Sequence, residues 1–206
     1  VFASALYVED GCLQDSLKCE SLIRFPASGA TWKLLQCCQE FVERVAEVKA
    51  RRGGQDPKLV LITNASMFHR PAVERGLETL DAHNGEIWAK LEAGTEEYFR
   101  LIERTVVPFE RVLENIAAAA RRWPLVIQGL FMRVEGEAPP ESEIEAFCDR
   151  LCEITSAGGQ LKLVQVYTVA RPPAESIVTA LEDRELQEIA LRVRSRCGLA
   201  TEVFGG

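Results

Sequence analysis

The chain has 206 residues, 47% of them apolar, which suffices to bury one hydrophobic core and does not require a second domain. Its 24 basic and 31 acidic residues give a net charge of -7, which disfavours binding to nucleic acid or to an anionic membrane surface. No apolar run approaches the ~18 residues of a membrane-spanning helix, so we expect a cytoplasmic protein. Seven cysteines, an odd number without disulfide-framework spacing, predict reduced thiols.

Apolar segments and helical patterns alternate from residue 58 to the end. Apolar, β-branched runs bounded by turn residues predict strands at 58–63, 86–91, 125–131, 161–167 and 201–204. Apolar residues at helical spacing predict helices over 70–82, 94–102, 108–116 and 144–158, and a last helix that ends at Gly198. The spacing of Thr179 and Glu182 predicts a capping box at the start of that last helix. Because strands separated by helices need parallel crossover connections, the pattern predicts an α/β fold, either an open sheet or a barrel.

The first 57 residues carry weaker signals. Segments 1–8 and 21–25 are typical of strands, and a helical stripe is formed by Phe41, Val42, Val45 and Val48. We expect one domain over 1–206, irregular over 1–40 and built of repeated βα units over 41–206. The chain begins at Val1 rather than Met, which suggests that upstream sequence is missing.

The cysteines and histidines are weak metal-site candidates. Cys148 and Cys152 are four residues apart, as two ligands on a helix would be, but they extend an apolar stripe and are expected to pack in the core. A second possible set lacks the C-x-x-C pairs of zinc sites and consists of Cys12, Cys19, Cys37 and Cys38. His69 follows a predicted strand and His83 falls in a turn, and we expect both to be solvated surface groups.

Four segments carry the most specific signal. They read LITNASMFHRP at 61–71, WAKLEAGT at 88–95, VIQGLF at 126–131 and KLVQVYTVARP at 162–172. In their order and strand-end placement they resemble the radical S-adenosylmethionine family, over about 41–204. The resemblance implies an α/β fold in the form of a parallel partial (βα)6-type TIM-like barrel, incomplete or irregular at the amino-terminal end. It also implies a [4Fe-4S] cluster and S-adenosyl-L-methionine at the carboxyl ends of the strands, where ligands of such folds are expected on general grounds.

The resemblance assigns ligand contacts to polar residues near these strand ends. Thr63 and Asn64 would lie near the adenosylmethionine, and Lys90 and Glu92 would help to hold it. The adenine or the substrate would be bordered by Gln128, Gln165, Tyr167 and Arg171, and Ser66 belongs to the same polar set. Polar side chains that end apolar strands are costly to bury unless they are paired or used, so two interpretations stand side by side. The set binds a small-molecule ligand, or its members hydrogen-bond with one another and close the barrel end.

The amino-terminal part departs from the family. Family members place three cysteines after the first strand in the pattern C-x-x-x-C-x-x-C, and this pattern is missing from the sequence. An acidic, glycine-rich loop is expected after the second strand, but the segment 25–32 contains no acid. Three explanations stay open: a fragment whose amino-terminal part is absent or frame-shifted, a degenerate member that has lost the cofactor, or an unusual cluster site.

Two functions follow from these observations. In intact relatives the cluster reductively cleaves S-adenosylmethionine to a radical, and this chain, without the cysteine triplet, is expected to be inactive as it stands. The alternative is a non-catalytic α/β scaffold that binds a small ligand or a protein partner. A cofactor-independent barrel enzyme is a third possibility, for which the sequence shows no acid-base constellation.

Overall fold

A computed structural model describes residues 4–9, 23–25, 38–52, 58–173 and 175–206. These residues belong to two compact units, one up to Trp88 and one from Ala89 to Gly206, which we call the first and second unit. The expectation of a single domain over 1–206 stays a prediction. In the described part of the chain, we find no helix long and apolar enough to cross a membrane.

Where the structure describes it, the first unit contains strands and two helices. In chain order its elements are β1 (Ser4–Glu9), β2 (Ile23–Phe25), α1 (Cys38–Arg52), β3 (Lys58–Thr63), α2 (Pro71–Ala82) and β4 (Gly85–Lys90), whose last two residues already belong to the second unit. Strand β1 pairs antiparallel with both β2 and β3. This antiparallel edge agrees with the irregular amino-terminal end that the sequence predicts. Helix α2 begins with Pro71, whose missing N–H is not needed in the first turn, and it buries Val73, Leu77 and Leu80.

The second unit contains the repeated βα pattern. Its further elements are α3 (Glu96–Glu103), α4 (Phe109–Ala120), β5 (Leu125–Leu130), β6 (Met132–Val134), α5 (Glu141–Ser156), β7 (Leu161–Tyr167), β8 (Val178–Ala180), α6 (Asp183–Cys197) and β9 (Thr201–Phe204). Strand β7 pairs in parallel with β5 on one side and with β9 on the other. The predicted α/β class, with parallel strands separated by helices, is therefore confirmed.

The core of the second unit lies between these strands and helices α5 and α6. Ile127 of β5, Leu151 of α5 and Leu186 of α6 are completely buried. Phe147 of α5 meets Phe131 edge-to-face, with ring centroids 5.2 Å apart. Burial of each such side chain stabilises the fold by about 1.5–3 kcal/mol. This packed core holds the strands, and therefore the strand ends described below, in place.

One local prediction was wrong. The capping box of α6 is formed by Glu182 and Glu185, not by Thr179 and Glu182, and the helix begins at Asp183. Thr179 lies instead in β8, where it pairs with Arg133 of β6 in a short antiparallel ladder. Both spacings satisfy the capping-box pattern, and the ladder with β6 decides between them because it holds Thr179 in extended backbone.

Candidate functional site

A buried group of ionisable side chains lies at the strand ends of the second unit. Lys90 is the last residue of β4, and its ammonium forms an ion pair with the carboxylate of Glu92 two residues later. Tyr167, the last residue of β7, donates its hydroxyl hydrogen to Glu92 Oε1 at 3.2 Å. The Leu91 N–H donates to the Gln128 carbonyl of β5 at 2.9 Å, which keeps this chain segment beside the parallel strands. The carboxyl ends of β4 and β7 therefore meet at Glu92.

Glu103 completes this group, which we call the Glu92 cluster: Lys90, Glu92, Glu103 and Tyr167. Glu103 is the last residue of α3, is only 7% exposed, and shares a hydrogen bond with Glu92. The sequence analysis missed it. The available signal was its position four residues after Phe99, which places an acidic side chain on the buried face of a short amphipathic helix.

The cluster holds one ionised and one neutral carboxyl group at neutral pH. Burial alone would raise the pKa of Glu92, but the Lys90 charge and hydrogen bonds from its neighbours lower it overall. Burial and the adjacent Glu92 raise the pKa of Glu103 to about 8. Burial and Glu92 also raise the pKa of Tyr167. Burial by itself would lower the pKa of Lys90, but Glu92 and the other acidic neighbours of Lys90 together raise it. Glu92 is thus a carboxylate paired with an ammonium, and Glu103 and Tyr167 keep their protons.

A second carboxylate fixes the loop that follows the cluster. Glu143 of α5 is buried and accepts hydrogen bonds from the Gly94 N–H at 2.5 Å and from Thr95 Oγ1 at 2.6 Å. Thr95 in turn caps α3 by accepting from the Tyr98 N–H at 3.2 Å. Glu143 was also missed, because an acid in a helical first turn ordinarily complements the helix dipole at the surface.

Two glutamines form a separate pair in the middle of the parallel strands. Gln128 of β5 and Gln165 of β7 face each other in the ladder, and Gln128 Nε2 donates to Gln165 Oε1 at 2.8 Å. Gln165 is 5% exposed and Gln128 is half-buried, so water is largely removed from one amide of the pair and partly from the other. Each amide still has further donor and acceptor positions, which is the chemistry that a heterocyclic base can use.

The candidates of the first unit form their own turn after β3. The Ala65 N–H donates to Thr63 Oγ1, and both the N–H and the hydroxyl of Ser66 donate to Asn64 Oδ1, the latter at 2.8 Å. Ala65 has φ 58°, in the left-handed region that favours glycine. The hydrogen bonds to Thr63 and Asn64 hold this non-glycine residue in that conformation.

The remaining predicted candidates lie outside these groups. Arg171, His69 and His83 are exposed, and His83 caps the carboxyl end of α2. Cys148 is fully buried on α5, as the packing interpretation predicts, whereas Cys152 is half-buried. The predicted second cysteine set and the loop after β2 fall outside the described residues, apart from Cys38 at the start of α1 and Phe25 at the end of β2.

The comparisons with known proteins bear on the fold. No protein-family model matches the chain. The curated proteins contain no match either. Among solved structures, the chain is similar to a domain of pyruvate-formate lyase-activating enzyme from Bacteroides vulgatus ATCC 8482, with a TM-score of 0.55 and 16% identity, over 82% of this chain and 94% of that one. The likeness shows the fold: the described chain has an α/β fold of the partial TIM-like barrel type.

Proposed function

We propose that this chain is a radical S-adenosylmethionine-like domain that binds an adenosylmethionine-type ligand at the carboxyl ends of its strands and does not cleave it as it stands. The observation that carries the proposal is the Glu92 cluster, which is built on the segment 88–95 that shows the family resemblance. Buried ionisable groups at the strand ends of α/β folds are typical of ligand sites, because their desolvation needs compensation. The fold of the solved neighbour supports the same proposal.

The chemistry of the cluster suits the polar parts of such a ligand. The Glu92 carboxylate can accept hydrogen bonds from ribose hydroxyls or from an amino group, and the Lys90 ammonium can pair with the carboxylate of the methionine moiety. The Gln128 and Gln165 amides offer both a donor and an acceptor to an adenine edge. The proposed contacts of the second unit are Lys90, Glu92, Gln128, Gln165, Tyr167 and Arg171. The ligand contacts that the resemblance implies for Thr63, Asn64 and Ser66 of the first unit stay a prediction from the sequence.

The residues that the structure describes do not fit a [4Fe-4S] cluster. Such a cluster needs thiolates that converge on its irons, and the sequence lacks the C-x-x-x-C-x-x-C pattern. Within the ranges that the structure describes, no group of three or more His, Cys, Asp or Glu side chains is arranged to hold a metal ion. The proposal therefore contains no step that depends on iron, and binding without cleavage is the activity we assign.

Calorimetric titration of the full chain with S-adenosylmethionine tests the proposal. We expect saturable binding, and we expect Glu92→Gln to weaken it at least tenfold, equivalent to about 1.4 kcal/mol. Glu96→Gln is the matched control, because Glu96 is close to Glu92 in the sequence but is exposed at the start of α3. Tyr167→Phe removes only a hydroxyl and should weaken binding while the circular dichroism spectrum stays unchanged. A folded wild-type chain that shows no heat of binding at millimolar ligand would overturn the proposal.

A specific observation favours the second candidate, a non-catalytic scaffold. Within the Glu92 cluster, each of the four side chains already interacts with another member. If the cluster only closes the barrel end, Glu92→Gln will lower the stability of the chain and the wild type will not bind the ligand. Anaerobic reconstitution with iron and sulfide completes the test, since a cluster absorbance band would reinstate the enzyme interpretation and contradict binding without cleavage.

A further inference from the structure

Two cysteine thiols of the second unit lie unusually close together. Cys152 Sγ of α5 and Cys197 Sγ, at the end of α6, are 2.6 Å apart. A disulfide bond measures about 2.05 Å, so the two sulfurs need to approach by only roughly 0.5 Å to become bonded. No other pair among the cysteines of the second unit has this geometry, since the third one, Cys148, is buried and accepts a contact from Cys197 Sγ at its carbonyl oxygen, at 3.3 Å.

The packing of α5 against α6 brings these two positions together. Cys197 follows Val193 by four residues and so continues the buried stripe of α6, and its Sγ contacts the Cys148 carbonyl oxygen of α5. On the outer side of the interface between α5 and α6, Arg196 forms an ion pair with Asp149 at 2.6 Å. A second arginine of α6, Arg192, bonds Glu145 of α5 at 2.8 Å. The interface thus has apolar residues on its inner side and ion pairs on its outer side. Both fix how α5 and α6 are aligned, and this alignment brings the two thiols together.

We propose that Cys152 and Cys197 are a redox pair that closes reversibly to a disulfide between α5 and the end of α6. Both thiols are half-buried, so a small oxidant can reach them, whereas Cys148 is fully buried. The position of Cys197 at the end of α6 also favours closure of the disulfide. Gly198 follows in the left-handed conformation and ends α6, so the last turn can adjust slightly while the rest of the helix stays packed.

The oxidant that we assign is a low-molecular-weight disulfide, RSSR. The sulfur of Cys152 loses its proton and attacks one sulfur of RSSR, whose S–S bond breaks and releases the first RSH. Cys197 Sγ then loses its proton and attacks Cys152 Sγ in the mixed disulfide, which releases the second RSH. Two protein thiols are oxidised by two electrons, and RSSR is reduced to two RSH. Burial and the neighbouring Cys152 thiol raise the pKa of Cys197, which agrees with its acting second.

Peptide mapping of the full chain tests the pair directly. Trypsin separates the relevant cysteines, because cleavage after Arg133, Arg150, Lys162 and Arg196 places Cys148 in 134–150, Cys152 in 151–162 and Cys197 in 197–206. After incubation with oxidised glutathione and alkylation of the remaining thiols, we expect the linked pair 151–162 and 197–206 to exceed any link to 134–150 at least tenfold. Dithiothreitol should abolish the link, and oxidation in concentrated urea should remove the preference.

Variants separate the pair from its surroundings. Cys197→Ser should abolish the link and leave Cys152 as a mixed disulfide with glutathione, whereas Cys148→Ala is the matched control and should retain the link. The peptide map of the wild type tests the link between Cys152 and Cys197 even if a substitution prevents folding. The proposal is overturned if both peptides stay alkylated in the folded chain, or if the links spread evenly over all cysteines. Neither result depends on adenosylmethionine binding.

Discussion

Glu103 makes the stability of the second unit depend on pH in a direction that can be calculated. Its pKa rises from 4.5 in the unfolded chain to about 8 in the folded protein, because it is buried beside Glu92. Between these two values the folded state holds a proton that the unfolded state has lost. The free energy of unfolding therefore falls by about 1.4 kcal/mol per pH unit as the pH rises through this window. The contribution is fully present below pH 4.5 and is lost as the pH passes about 8.

Between pH 6 and pH 8, Glu103 changes the stability separately from the other groups whose pKa values are shifted. The pKa of Glu92 is lowered, so its effect on stability lies below pH 4.5, whereas Lys90, Tyr167 and Cys197 have raised pKa values that act above pH 9. With an unfolded pKa of 4.5 and a folded pKa of about 8, the loss between pH 6 and pH 8 is roughly 2 kcal/mol.

The substitution Glu103→Gln tests this value. Glutamine keeps a hydrogen-bond donor toward Glu92 but does not titrate, so the slope between pH 6 and pH 8 should disappear. Urea unfolding followed by tryptophan fluorescence at pH 6, 7 and 8 measures the slope. Glu97→Gln, at an exposed position of the same helix, is the control and should keep the wild-type slope. Parallel loss of stability in wild type and Glu103→Gln would show that Glu103 does not hold its proton.

Two further predictions concern packing and cross-linking in the second unit. In Gly94→Ala the new Cβ would lie 2.1 Å from the Phe147 backbone nitrogen, so we expect a loss of about 3 kcal/mol or more in urea unfolding; an unchanged midpoint would contradict the packing of this loop on α5. Oxidation of Cys152 and Cys197, which are 45 residues apart, should raise the unfolding free energy by about 4 kcal/mol relative to the reduced chain, and equal urea midpoints of the two forms would refute this.

Local sequence patterns predicted most elements from residue 58 onward well. The apolar runs that predicted strands correspond to Lys58–Thr63 and Leu161–Tyr167 with the same bounds. They are recognisable because strands of a parallel sheet covered by helices are apolar over consecutive residues. Thr95 was expected to open a helix, and it caps α3 through its own side chain, a contact that spans three residues. Such features depend on neighbours in sequence, so one sequence suffices to infer them.

Longer-range contacts decided the features that the sequence analysis missed. Strands β6 and β8 have three residues each, too few for a periodic signal. Because they pair with each other, Thr179 is in a strand and α6 begins only at Asp183. Glu103 and Glu92 are in different elements, and an acid at a helix end is usually solvated. Only the burial of α3 showed that Glu103 faces another carboxylate.

The sequence by itself determined the α/β class, the order of the longer strands and helices, and the strand-end positions of Lys90, Glu92 and Tyr167. Tertiary structure alone decided that these three side chains contact one another, and that Cys152 meets Cys197 from 45 residues away. The physical reason is that hydrophobic periodicity reports which face of an element is buried. It does not report which other buried face lies opposite, because that is set by the packing of the whole unit.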